Sequence, residues 1–166
     1  MIDLTSTPII ILVILGSVGV ALPVVSIALK ERPSMISYGI ATLIALLASI
    51  GYVFYQLALD HVAPAAIFSQ DVLVDDAFGA LFAIAMLIVA LFTTVGSFSY
   101  MKNKANPSVY FSLILLSAIG MVLVAYATDL VMLFVAWELM SIPTYILVGF
   151  LKKDPISNEA AIKYFL

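Results

Sequence analysis

Residues 130–151 read LVMLFVAWELMSIPTYILVGFL, and Glu138 is the only charged side chain among them. A run of about 22 residues, at 1.5 Å each, is long enough to cross a bilayer core of roughly 30 Å. A charge at bilayer depth costs at least ~2.5–3.5 kcal/mol, so such residues usually face a bundle interior or a wet cavity and mark an ion path. Glu138 lies a third to half of the way through the run, too deep for its short side chain to reach either surface easily.

The rest of the chain has the same character. Hydrophobic residues make up 64% of it and charged residues 10%, with a mean hydropathy of +1.22. Soluble domains carry about a quarter charged residues, so this is an integral membrane protein. Its net charge of −3 therefore says nothing about nucleic acid, and no nucleic-acid partner is expected. There are no cysteines, which excludes disulfides, thiolate-held iron–sulfur clusters and Cys-anchored haem in this chain. The lone histidine, His61, sits in a polar connection. It reads as a solvated residue, because a transition-metal site needs several converging ligands. No metal or cofactor is expected here.

Uncharged runs mark five full spans, at residues 8–29, 34–59, 77–101, 108–128 and 130–151, the last interrupted only by Glu138. Residues 1–7, MIDLTST, are acidic and lack a basic region, so the first span is expected to remain in place and not to act as a cleaved signal. Asn106-Pro107 and Asp154-Pro155 each put a capping residue before a proline at the first helical position. The second pair opens a sixth helix, PISNEAAIKYFL, of which 12 residues are present. The expected fold is thus an all-α multi-span helical bundle, one membrane domain over residues 1–166, with five spans and the start of a sixth. It reads as a fragment of a longer subunit.

Basic residues alternate between connections. Lys30, Arg32, Lys102, Lys104, Lys152 and Lys153 all fall on one side, whereas Asp60, Asp71, Asp75, Asp76 and Asp129 fall on the other. The positive-inside rule makes the basic side cytoplasmic and places the N-terminus outside.

On the fifth span, Ser141 at i+3 and Tyr145 at i+7 share the face of Glu138. Pro143 lacks an N–H, so the carbonyl of Leu139 loses its usual partner and a kink is expected there. A carboxyl, two hydroxyls and a free carbonyl can hold water along a hydrated path. Equally, Ser141 and Tyr145 serve as ordinary helix–helix hydrogen-bonding residues, with Pro143 only a bend. Trp137 points to another face, where it suits a packing or lipid-facing anchor and a wall of the site equally well.

Lys163 lies roughly 13 Å into the sixth helix. Two arrangements are open to it: a pair with a buried acid, or a local pair with Glu159 at i−4, the favourable order on a helix.

At these residues the chain resembles a known family. DLVMLFVAWELMSIPTYILVGF, followed by NEAAIKYFL, is similar to the antiporter-like subunits of respiratory complex I and most similar to subunit N, called subunit 2 in mitochondria. VDDAFGALFAIAMLIVALFTTVGSFSYM resembles the family's third span, so matching motifs cover about residues 72–166. The first two spans fit by topology alone.

The resemblance implies proton translocation through Glu138 and Lys163. It implies other membrane subunits as partners, with flavin and iron–sulfur clusters on partner subunits. The electron donor would be NADH or a reduced deazaflavin and the acceptor a quinone or phenazine, in a prokaryotic cytoplasmic (inner) membrane. The alternative it leaves open is a subunit of a cation/proton antiporter complex or membrane-bound hydrogenase.

The orientation has a direct test. A cysteine placed at Ser69, in the acidic connection, is expected to react with an impermeant thiol reagent from outside; labelling only from the cytoplasm would reverse the topology.

Overall fold

A computed structural model describes residues 6–29, 34–59, 72–102, 104–152 and 154–166. His61, Ser69, Lys30, Arg32, Lys153, Asp60 and Asp71 lie outside the described residues. Lipid offers backbone groups no hydrogen-bond partner, so a spanning segment must bond internally, and a helix does so. Among the described residues, five helices are long and apolar enough to cross: α1 (Thr7–Ala28), α2 (Met35–Ala58), α3 (Ala77–Tyr100), α4 (Pro107–Tyr126) and α5 (Leu130–Val148). A shorter α6 (Pro155–Phe165) follows. The chain is a multi-pass, all-α membrane bundle.

α4 is the hub. It packs against α1, α2, α3 and α5, while α2 lies between α1 and α3. Its buried residues include Phe111, Leu115, Ser117, Gly120 and Leu123, which together cover all sides of the helix. A helix apolar all round belongs at the centre of its bundle. α5 touches α4 and α6 and no other described helix, and buries only Ala136, Ser141 and Pro143.

Polar bonding gathers at the helix ends. At the acidic end, Asp76 caps α3 by accepting from Gly79 N at 2.7 Å, and Asp75 Oδ2 accepts from Thr7 N at the start of α1, also at 2.7 Å. Val74 N donates to Tyr126 O at 3.0 Å and Thr128 N to Val72 O at 3.2 Å, so the segment before α3 is stitched to the end of α4. Asp129 then caps α5, accepting from Val131 N at 2.7 Å and Met132 N at 2.8 Å. Lys102, Lys104 and Lys152 lie at the opposite end, where α3 and α5 finish and α4 and α6 begin.

Three features at the helix ends differ most from the sequence reading. α4 stops at Tyr126, before Thr128, because Ala127 turns extended and bridges to Leu73. α5 stops at Val148, before Leu151. Gly149 N returns to Tyr145 O and Phe150 N to Leu147 O, turning the chain three residues before the apolar run ends. Asn106 does not cap α4 through its side chain. Its backbone is left-handed, at φ 57°, which Asn tolerates, and its amide makes no cap bond. Asp154 does cap α6, accepting from Ile156 N at 3.1 Å.

Removing the cap on α3 tests how far these end contacts hold the bundle. Asp76→Ala is expected to cost about 1 kcal/mol, seen as a lower thermal midpoint of the purified protein, and Asp76→Ser to restore most of it.

Candidate functional site

The position of Glu138 is set by the docking of α5 on α4. A Cβ added at Gly120 of α4 would fall on the backbone of Met140 and within 2.8 Å of the carbonyl carbon of Leu139. Only a residue without a side chain allows the two main chains this close. One turn earlier on α4, Ser117 Oγ donates to Met140 O at 3.2 Å. Both contacts grip α5 at the residues immediately after Glu138.

Glu138 itself is half-buried and makes no hydrogen bond or ion pair among the described residues. It lies two residues from Ala136 and from Met140, the residues turned to α4. At about 100° per residue, the carboxyl therefore occupies the far side of α5. Ile142, on that same far side, is exposed.

The other candidates separate from it. Ser141 and Pro143 are buried and Tyr145 is half-buried. Ser141 and Tyr145 line a cavity of about 390 Å³ with Ser117, Trp137, Thr144 and Tyr164, and Glu138 is not in its wall. Thr144 Oγ1 donates to Ser141 O at 2.7 Å. α5 continues as one helix through Pro143.

α6 folds back along α5. Ser157 Oγ donates to Val148 O at 2.8 Å. Tyr164 and Phe165 set their rings against Tyr145 at centroid distances of 5.5 Å each, and Ala161 faces Gly149. Lys163 lies off this face. Its Nζ is 2.6 Å from Glu159 Oε1, with the two side chains 73% and 65% exposed. Of the two arrangements open to Lys163, the described residues thus contain the local one, and Lys163 makes no contact with Glu138.

Sequence reading missed Gly120, Ser117, Thr144 and Tyr164. Ser117 and Gly120 left a signal, two small residues three apart in the fourth span. Tyr164 left none, because its role depends on how α6 returns onto Tyr145.

Residues 127–166 match the transmembrane family described as NADH:quinone oxidoreductase/Mrp antiporter. That segment contains Glu138, the α5–α6 turn and Lys163. The chain is also 34% identical over 155 residues to NADH-quinone oxidoreductase subunit N 1 of Solibacter usitatus, covering 93% of this chain and 31% of that protein. The likeness is thus to the antiporter-like membrane subunits of the subunit N type. Identity to NADH-quinone oxidoreductase subunit N of Desulfitobacterium hafniense is 38% over 126 residues, 75% of this chain and 25% of that protein. For F(420)H(2) dehydrogenase subunit N of Methanosarcina mazei it is 39% over 100 residues, 60% of this chain and 20% of that protein. The chain spans less than a third of the length of these curated relatives.

The position of Glu138 depends on the close approach at Gly120. Gly120→Val would place two methyl groups on the backbone of α5, an overpacking cost of about 3 kcal/mol. A marked loss of folded, membrane-inserted protein is expected, with Ser117→Ala milder at about 1 kcal/mol; thermal stability of the two purified variants would check this.

Proposed function

We propose that the chain is a proton-translocating membrane segment of a complex I-like dehydrogenase, one that takes electrons from NADH or a reduced deazaflavin and passes them to a quinone or phenazine. The observation that carries the reading is Glu138: one carboxyl in an apolar span, half-buried and unpaired among the described residues, beside the main-chain contact that fixes its helix. A charge kept at that depth without a partner is costly, and a role as proton carrier explains its retention.

On this reading the chemistry is proton exchange, with no covalent step in this chain. Flavin and iron–sulfur clusters sit on partner subunits, and the assembly lies in a prokaryotic cytoplasmic membrane. The open side of α5 faces the remainder of the assembly, which supplies Glu138 with the polar or wet surroundings it needs. Ser141 and Tyr145, around their shared cavity, extend the hydrated path toward the basic end. Lys163 belongs to the same charged axis: protonating or moving one member of a Glu–Lys pair changes the proton affinity of the other. Its present pair with Glu159 is exposed and therefore weakly held.

The matched family's description also covers Mrp antiporters, so a cation/proton antiporter or membrane-bound hydrogenase subunit is the competing reading. The soluble subunits that copurify separate the two, because only a dehydrogenase brings a flavin-bearing arm.

The functional test is Glu138→Gln, which keeps shape and removes titration. The assembled complex is expected to retain its subunits while proton pumping in proteoliposomes falls by about tenfold or more. Lys163→Ala is expected to lower pumping more than assembly. Normal pumping in both variants would leave Glu138 a structural group and the Glu159–Lys163 pair a local one.

A further inference from the structure

A cavity of about 750 Å³ opens at the basic end of the bundle, between the start of α4 and the α5–α6 turn. Its rim carries Lys104, Lys152 and Asn106, and its wall carries Val109, Ile146 and Phe150. Both lysines are exposed and neither has a carboxylate partner among the described residues. Asp154 also borders the cavity, but its Oδ1 is already engaged by Ile156 N at 3.1 Å.

The first turn of α4 adds positive character. Asn106 makes no side-chain cap bond, so nothing from that residue offsets the N-terminal end of the helix dipole, which favours an anion. The wall has the opposite chemistry. Val109 and Ile146 are 41% and 49% exposed on neighbouring spans, and Phe150 is fixed edge-on to Tyr110 at 5.1 Å.

We propose that this cavity is a binding site for an anionic phospholipid, whose phosphate lies between Lys104 and Lys152 at the start of α4 and whose acyl chains run down over Val109 and Ile146. A basic pocket between spans, at the level of the membrane surface and continued by an apolar wall, matches a molecule with a charged head and a hydrocarbon tail. A free phosphate would use only the rim, and a soluble protein would have no access to the wall beneath it. The lipid would also act as a wedge, filling the angle between α4 and the end of α5 on the side where α6 turns back.

The test uses the complete assembled complex in detergent, stripped of loosely held lipid. It is then incubated with vesicles of phosphatidylglycerol, with phosphatidylcholine vesicles of the same acyl chains, or with inorganic phosphate. Retained lipid is counted by mass spectrometry. Preferential retention of phosphatidylglycerol is expected, undiminished by inorganic phosphate. The affinity should fall by about fivefold for each lysine removed in Lys104→Gln and Lys152→Gln. Lys104→Arg with Lys152→Arg should restore it, and Lys102→Gln, whose residue is outside the cavity, should leave it unchanged.

Val109→Trp, which keeps both lysines and blocks the wall, should lose the lipid as well, and decides the matter should the glutamine variants not assemble. Three results would overturn the proposal: equal retention of phosphatidylcholine, unchanged retention in both the lysine and the Trp variants, or a segment of a neighbouring subunit seated on Phe150 and Ile146 in the complex.

Discussion

Everything placed on α5 depends on the absence of a side chain at Gly120. Apolar helices gain little from meeting one another in lipid, since hydrocarbon is as good a neighbour as leucine; close packing and interhelical hydrogen bonds must hold them together. α5 has only α4 and α6 as described neighbours. Its docking rests on main chain against main chain at Gly120 and on the Ser117 hydroxyl reaching Met140 O. This is a stiff arrangement. Side-chain contacts can adjust through rotamers, whereas a backbone contact fixes both rotation and depth. Glu138, two residues from Met140, is carried to the far side of the helix by that fixed rotation.

The remaining polar groups divide by depth. Deep in the bundle, three hydroxyls are satisfied within their own helix: Thr42 bonds Tyr38 O, Ser49 bonds Ala45 O and Thr94 bonds Ala90 O, each at 2.8–2.9 Å. Such bonds let a polar residue sit in an apolar helix without a partner on another helix. Carboxylates are used differently. Asp75, Asp76, Asp129 and Asp154 all bond main-chain N–H groups at or beside helix starts, where an anion is favoured by the helix dipole. Glu138 follows neither pattern. It is mid-helix, away from any helix start, and its acidity finds no donor on its own helix.

Five spans were readable in the sequence because an uncharged run of sufficient length has one outcome in a bilayer, and the described helices depart from those runs by a few residues at most. The departures come from interactions that hydropathy does not record. Residues 149–151 are as apolar as the span before them, yet the chain turns there through the bonds of Gly149 N to Tyr145 O and Phe150 N to Leu147 O. Residues 127–128 are uncharged, yet they leave the helix to pair with the segment before α3. Asn106 has the composition of a cap and a backbone that forbids the usual geometry. For the site, Glu138 was conspicuous as a lone charge, and helical spacing put Ser141 and Tyr145 on its side. Spacing could not separate them. Burial did, placing the hydroxyls in a cavity with α4 and α6 while the carboxyl stayed on the open side.

The two charged candidates therefore differ in what holds them. The Glu159–Lys163 pair is a solvent-exposed i,i+4 contact, of a kind that contributes about 0.3–0.5 kcal/mol. Keeping a charge at the depth of Glu138 costs at least ~2.5–3.5 kcal/mol. Covering the exposed side of α6 and excluding water would strengthen that local pair as well, since Coulomb attraction grows as the effective dielectric constant falls. α5 and α6 meet through their rings, with no ion pair between them among the described residues. Tyr145 lies at that junction, with Tyr164 and Phe165 against its ring and Ser141 beside it in the cavity. Any movement of α6 relative to α5 must pass through these aromatic contacts, so the packing of Tyr145 fixes how the two helices sit together.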